Sequence, residues 1–366
     1  MKIRVLEVLA TLQRAGAENI AVSLACALDR ARFETEVVSL FDPFPKGLEP
    51  VLADHGIPVR HLGKHRGFDP RMWSRLARVF RDVRPDVVHT HSYLLRYVLP
   101  VRTGAVVHTI HNVARKDSDV LGRAINRLAF RRGVLPVAVG KEVARSFRET
   151  YGFETAATIP NGIEVEHYFR PAARRAWRQA HGFADDDVLI VSAARLEPQK
   201  DPLGLIRAFA QGLKDDTRCH LLVAGWGSLE GAARELAAAN GMPGRVHFLG
   251  VRADVPELLA ASDLFALASR WEGGPLAVME AMAARLPVVA TAVGAVPELV
   301  EPGVTGLLTS PGDAAALADA LASLARDPER RRAMGEAAGA RAAHLGLEAM
   351  VAAYSELFER VAGGRR

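Results

Sequence analysis

Cysteine is nearly missing from this 366-residue chain: there are two, Cys26 and Cys219. They lie far apart, and neither has a Cys or His at zinc spacing. A disulfide framework or a structural zinc is therefore not expected, and a reducing, cytoplasmic setting fits. Nor is there a run of about 18 uninterrupted apolar residues, so no segment is expected to span a bilayer. The first apolar run is broken by Arg4 and Glu7 and is followed by no cleavage-like site, unlike a signal peptide. Solenoid repeats and low-complexity tracts are absent from the sequence. The turn after that run lacks the three-glycine spacing of a dinucleotide fingerprint. Arginines without interleaved aromatics, and no recognised module, argue against nucleic-acid binding.

What is present suits a folded chain of two domains: 49% hydrophobic and 24% charged residues over 366 positions. The formal charge of +5 is unevenly spread, with +8 in residues 1–165 and −3 in the remainder. A basic half attracts anionic partners. Short β-branched runs alternate with helical stretches throughout. Strands are expected over 3–10, 36–40, 59–62, 86–91, 106–110, 136–139 and 158–160, then over 188–193, 220–224, 246–249, 264–268, 288–291 and 306–308. Helices are expected between them, among them 18–28, 70–83, 202–210, 229–238, 275–284 and 314–325. Strand–helix alternation means parallel sheets with right-handed crossovers. Two such series predict an α/β protein of two Rossmann-like domains facing a cleft, over 1–165 and 166–345. A terminal amphipathic helix within 346–366, with Met350, Leu357 and Val361 as candidate buried positions, is expected to cross back to the first domain.

Open parallel sheets bind ligands at the carboxyl ends of their strands, and four groups of residues fall there. Arg14-Ala15-Gly16-Ala17-Glu18 opens a helix after the first strand, where small residues let backbone N–H groups approach an anion. Taken alone, the plainer reading is an ordinary tight strand–helix turn. His89 and His91 point the same way on one strand, while His108 and His111 flank the end of another. A metal site is one reading, but no carboxylate or cysteine sits at matching spacing. The plainer one is that His89 and His91 are hydrogen-bonded residues at a sheet end, while His111, at a strand end, has an imidazole that can donate to a sugar hydroxyl or help orient an acceptor. Arg195 and Lys200 occupy a loop leading to a helix at Asp201-Pro202. Two cations there suit a diphosphate leaving group, whose charge grows as its bond to a sugar breaks, or they are simply solvated. The fourth group, Trp271 to Met282, carries Glu272 before a glycine turn, the backbone of Gly273, Gly274 and Leu276 at a helix start, and Glu280 on an otherwise apolar face. A carboxylate there needs a partner, and a ribose diol is a good one.

In this order and spacing the segments resemble the retaining, nucleotide-sugar-dependent glycosyltransferases of family 4, which have the GT-B architecture. The matching stretches are Ala15-Gly16-Ala17-Glu18, Asp86 to His91, His108 to Asn112, Ile159 to Ile163, Arg195 to Lys200, Gly225-Trp226-Gly227, Glu272 to Met282, Pro287 to Thr291 and Gly303 to Leu308. The resemblance implies that Arg195 and Lys200 hold the donor diphosphate, Glu272 the hydroxyls of the transferred sugar and Glu280 the ribose. It places Gly16 beside the diphosphate and His111 near the reacting centre, with Gly225 and Arg252 also on the donor side. It further implies a UDP- or GDP-linked hexose as donor, a glycan, lipid-linked or small-molecule hydroxyl acceptor, retention by same-face attack, and no metal or other cofactor. Three positions depart from the pattern: Ala15 for a first glycine, Trp226 for an acidic residue, and Arg285 for the glycine after the glutamate helix. None touches the charged residues.

Other functions compete. A metal-dependent transferase of the other architecture needs Asp-x-Asp at a strand end. Asp117-Ser118-Asp119 lies in a polar loop and Asp185-Asp186-Asp187 precedes a strand, so both read as solvated turns. A sugar-nucleotide 2-epimerase shares the architecture and needs no acceptor. A non-catalytic binding partner is expected to have lost the charged residues present here. Arg71, Arg75 and Arg78, and Arg123, Arg127, Arg131 and Arg132, form basic stripes in the first half. They are either solvated faces of packed helices or a peripheral docking surface for an anionic inner membrane.

Overall fold

The computed structural model describes residues 2–45 and 47–364. The chain divides into two compact units, Met1–Gly162 with Leu347–Arg366, and Ile163–Gly346. The first division falls slightly before the expected 165/166, the second just after 345/346.

The first unit holds β1 (Ile3–Leu9), β2 (Phe33–Ser39), β3 (Val59–His61), β4 (Val87–His91), β5 (Ala105–Ile110), β6 (Leu135–Ala138) and β7 (Ala157–Thr158). They form one sheet in the order β3-β2-β1-β4-β5-β6-β7, and every pairing is parallel. Every residue of β4 and β5 is buried, as in parallel strands covered on both faces, the polar His89, Thr90, His91, His108 and Thr109 among them. Helices cover the sheet with apolar stripes: Gly16–Ala27 buries Ile20, Val22 and Leu24, and Arg71–Val83 buries Met72, Leu76, Val79 and Phe80. The terminal helix Leu347–Gly363 belongs to this unit. Of its three expected core positions Met350 and Leu357 are buried, while Val361 is half-buried. Tyr354 and Phe358 supply the aromatic part of that face.

The second unit holds β8 (Val188–Ala193), β9 (Cys219–Ala224), β10 (Val246–Gly250), β11 (Leu264–Leu267), β12 (Val288–Thr291) and β13 (Gly306–Thr309). Their order is β10-β9-β8-β11-β12-β13, again wholly parallel. Leu205, Phe209 and Leu213 from helix Pro202–Leu213, with Leu317, Leu321 and Leu324 from helix Ala314–Ala325, fill one side of this sheet. Both orders reverse direction once, between β1 and β4 and between β8 and β11. Ligand crevices of such sheets open at that reversal, beyond the strands' carboxyl ends.

Candidate active site

In the second unit the loops after β8 and β11 flank the reversal. The first carries Arg195 and Lys200, the second Glu272. The first loop ends at Asp201, which accepts from the Gly204 N–H (3.1 Å) to cap the helix opening at Pro202. The other Asp201 oxygen takes Arg270 Nε at 3.1 Å, and the Arg270 N–H donates to Gln199 O at 2.7 Å. Gln199 Nε2 donates to Trp271 O at 3.1 Å. These cross-links hold the loops together, and Lys200 Nζ donates to Glu272 Oε1. Ser269 Oγ donates to the same oxygen at 2.5 Å, and Ser269 O is held by Thr291 Oγ1. Glu272, 4% exposed, is thus a buried carboxylate whose charge is matched by a half-buried lysine, as burial requires.

The glycines beside this pair serve close approach. Gly225 has φ +139°, and a Cβ there would sit 2.0 Å from Ala194 O; Gly294, at φ +55°, would place one 2.1 Å from Glu272 O. Only residues without a side chain let the turns after β9 and β12 close on the two loops. Gly273 O accepts from the Ala295 N–H at 3.0 Å. Gly274 follows, then Pro275 in extended conformation, and the helix runs Leu276–Ala283. The Val278 N–H returns to Pro275 O at 3.1 Å, and the N–H groups of the first two helical residues have no partner within the helix.

Glu280 lies inside that helix, and Tyr168 Oη donates to its Oε1 at 2.9 Å. Burial holds the Glu280 carboxyl above its ordinary range, opposed by the tyrosine bond. The partner that its apolar face demanded is present before any ligand. Tyr168 comes from the short helix Val165–Tyr168, which no periodicity announces. Arg195 is exposed and reaches Gln199 Oε1 at 3.4 Å. Arg252, after β10, grips Asp254 through two bonds of 2.7 and 2.5 Å and holds that carboxyl down to about 2. Arg285 has φ +60°, the left-handed conformation for which glycine is suited, and its guanidinium stacks over Phe169.

In the first unit, Gly16 begins helix Gly16–Ala27 directly after the β1 turn, and His111 follows β5. The histidines converge on a residue that spacing did not reveal. Glu7 on β1 is fully buried and sits in register with His89. His89 Nδ1 lies 2.8 Å from Glu7 Oε1, His91 Nε2 3.1 Å from Oε2, and His91 Nδ1 2.8 Å from His111 Nε2. His89 Nε2 is 2.7 Å from Thr109 Oγ1, which is 2.8 Å from Tyr354 Oη. The missing carboxylate of the metal reading therefore exists, supplied by a different strand, and Glu7, His89 and His91 are close enough to hold a cation. Each carboxylate oxygen is instead engaged by one imidazole. Burial presses His89, His91, His108 and His111 down to about 3, so the rings are neutral. His108 points the other way, with Nδ1 2.8 Å from Thr90 Oγ1. A lone glutamate in an apolar strand was the available signal; its partners lie 82 and 84 residues on.

The Asp-x-Asp strings stay away from strand ends of the carboxyl kind. Asp119 caps helix Val120–Arg131 through the Gly122 N–H at 2.6 Å, and the side chain of Asp117 lies outside the described part. Asp187 accepts from the Ala184 N–H at 2.7 Å in the turn before β8.

Residues 14–167 match the family model described as Glycosyltransferase Family 4, and residues 173–341 that of Glycosyl transferases group 1. The chain is 32% identical over 317 residues to D-inositol 3-phosphate glycosyltransferase of Nocardia farcinica, covering 76% of this chain and 68% of that one. It is 29% identical over 306 residues to N-acetyl-alpha-D-glucosaminyl L-malate synthase of Bacillus anthracis, covering 79% and 78%. Among solved structures, Anabaena HepE in complex with UDP and glucose matches with a TM-score of 0.86 over 98% of this chain and 100% of that one. At 23% identity that likeness concerns the fold.

Proposed function

The chain belongs to glycosyltransferase family 4, and from that premise we propose that it moves a hexose from a UDP- or GDP-sugar to a hydroxyl acceptor, with retention and without a metal. The observation that carries the proposal is the Lys200–Glu272 pair, assembled from the two loops at the β8/β11 reversal. A carboxylate of fixed position reads sugar hydroxyls, and the lysine beside it faces the charge that develops as the bond from C1 to the phosphate oxygen breaks. Arg195, exposed on the same loop, adds a second cation for the diphosphate. Glu280, with Gly274 and Leu276 at the start of its helix, serves the nucleotide. On this reading the acceptor oxygen bonds to C1 on the face the phosphate leaves, and its proton passes to the departing phosphate oxygen. His111 orients a hydroxyl at the reacting centre. Support for the donor class comes from relatives: the Anabaena structures hold UDP and UDP-glucose, and a Corynebacterium glutamicum mannosyltransferase is named as GDP-mannose-dependent.

Thermal-shift measurements with UDP-, GDP- and ADP-sugars test this. One nucleotide class stabilises the wild type and does so far less in Lys200→Ala, and transfer persists after EDTA treatment. No stabilisation by any nucleotide sugar, or transfer abolished by EDTA and restored by Mn²⁺ or Mg²⁺, contradicts the reading.

A second reading concerns where the acceptor resides. Helix Val120–Arg131 exposes Val120, Leu121 and Leu128 beside Arg123, Arg127 and Arg131. Such a face suits an anionic membrane surface and hence a lipid-linked acceptor. The other basic stripe lacks such exposed aliphatics, since Met72, Leu76, Val79 and Phe80 of its helix are buried, and the charge of Arg71 is paired with Asp69.

A further inference from the structure

We propose that Glu7 is a positioning residue for His111, fixing through His91 which nitrogen of that imidazole carries the proton. The inference rests on the reading above in which His111 meets a hydroxyl at the reacting centre.

Burial raises the Glu7 carboxyl and the His91 bond opposes that rise. With an imidazole against each oxygen, at 2.8 and 3.1 Å, the assignment takes Glu7 as ionised. An ionised carboxylate only accepts hydrogen bonds, while a neutral imidazole has one N–H. His89 Nδ1 and His91 Nε2, at 2.8 and 3.1 Å, must therefore both donate to Glu7. That leaves His91 Nδ1 as a lone pair, so the 2.8 Å bond to His111 is donated by His111 Nε2. The remaining His111 nitrogen, Nδ1, is then an acceptor. His111 therefore accepts a hydrogen bond from a hydroxyl rather than donating one, which orients the hydroxyl without removing its proton. On the other branch His89 Nε2 accepts from Thr109 Oγ1, which accepts from Tyr354 Oη. One assignment satisfies the whole chain from His111 to Tyr354, with every donor pointing toward Glu7. The neutrality this needs agrees with burial holding His89, His91 and His111 down to about 3.

Replacing the carboxylate by an amide of equal size makes the assignment testable. The glutamine of Glu7→Gln has one acceptor and one donor end. Turned toward His89, the amide N–H would send donation outward to Thr109 and Tyr354, both buried, and leave the tyrosine hydroxyl hydrogen without its acceptor. Turned toward His91, it makes His91 Nδ1 the donor and moves the His111 proton to Nδ1, on a half-buried ring that can accommodate it. The second arrangement is the favoured one.

The experiment is ¹⁵N-resolved histidine spectroscopy of the full chain without ligand, with the His111 resonances identified through His111→Asn. Wild type carries the His111 proton on Nε2. In Glu7→Gln the protonated and lone-pair nitrogens of His111 exchange places, whereas Tyr354→Phe keeps the wild-type pattern. Should Glu7→Gln not fold, His91→Phe removes the Nε2–H acceptor and yields a mixture of His111 tautomers. A wild-type proton on Nδ1, a Glu7→Gln spectrum like wild type, or a single unchanged tautomer in His91→Phe overturns the proposal. A His111→Ala protein with wild-type turnover would overturn the role given to His111 and leave the tautomer result standing.

Discussion

On the proposed reading, the Lys200–Glu272 contact serves both folding and reaction. With Glu272 only 4% exposed, removal of the lysine leaves a buried carboxylate held by Ser269 alone. Breaking one side of such a pair costs more than replacing both sides with neutral groups. Lys200→Met is therefore expected to lower stability by about 1–3 kcal/mol and turnover by roughly two orders of magnitude or more. Lys200→Met with Glu272→Gln regains most of the stability and none of the turnover. Urea melts beside transfer rates check this; a double variant no more stable than the single one sinks the argument. The histidines make a pH prediction. His89, His91, His108 and His111 have folded-state values near 3, far below their ordinary 6.5. The unfolded chain binds protons the folded chain refuses, so their contribution is full above pH 6.5 and is lost as pH falls toward 3. Glu7, raised by burial, acts oppositely, its contribution being present below 4.5 and lost as pH rises through its folded value, but it is one group against four. Denaturation midpoints should fall between pH 7 and pH 4, and less steeply in His108→Gln, whose ring is fully buried. Equal slopes in both proteins would remove His108 from the account.

At the scale of elements, what the chain announces depends on periodicity. Every described strand begins or ends within a few residues of an apolar run visible in the sequence, because strands buried on both faces cannot hide their β-branched composition. The long helices are legible for the matching reason, an apolar stripe of period 3.6. Val165–Tyr168, four residues long, is too short to show any period, so Tyr168 and its bond to Glu280 were invisible. Glu7 stood out as a glutamate among valines and leucines, yet the strands that satisfy it are set by sheet order rather than by local sequence. The loops were read through their punctuation, and there a prediction follows. Gly225 combines φ +139° with a Cβ position 2.0 Å from Ala194 O. Gly225→Ala must push the turn after β9 away from the loop that carries Arg195 and Lys200. A loss on the order of 3 kcal/mol in stability is expected from strain and overpacking, with donor binding weakened alongside. Gly231→Ala, where a Cβ meets open space, is the control and should be near neutral. Similar melting temperatures for the two would show that the approach is not tight.

For the molecule as a whole, charge and exposed apolar surface bear on where it works. The excess of positive charge lies in residues 1–165, and no helix among the described residues is long and apolar enough to cross a membrane. Association with a bilayer would then need a surface, and helix Val120–Arg131 offers one. Val120 and Leu121 are 75% and 65% exposed, where an ordinary packed helix would turn such residues inward. Its buried side is made instead by Gly122, Asn126 and Ala129. Arg123 and Arg127 donate to the Ser118 and Thr150 carbonyls, which steadies them without neutralising their charge. Each basic residue near an anionic surface contributes about 1 kcal/mol, so on the proposed reading three of them, with the exposed Val120, Leu121 and Leu128, would support reversible docking. Co-sedimentation with vesicles of phosphatidylglycerol and phosphatidylcholine should show binding that depends on the anionic lipid and weakens steeply as salt is raised. Leu121→Asp should reduce it by roughly tenfold or more, combining lost apolar insertion with added repulsion. Arg78→Glu, on the helix whose apolar face is already buried, should change it little. Binding that is equal on neutral vesicles, or that Arg78→Glu lowers as much as Leu121→Asp, would mean that helix Val120–Arg131 is not the docking face.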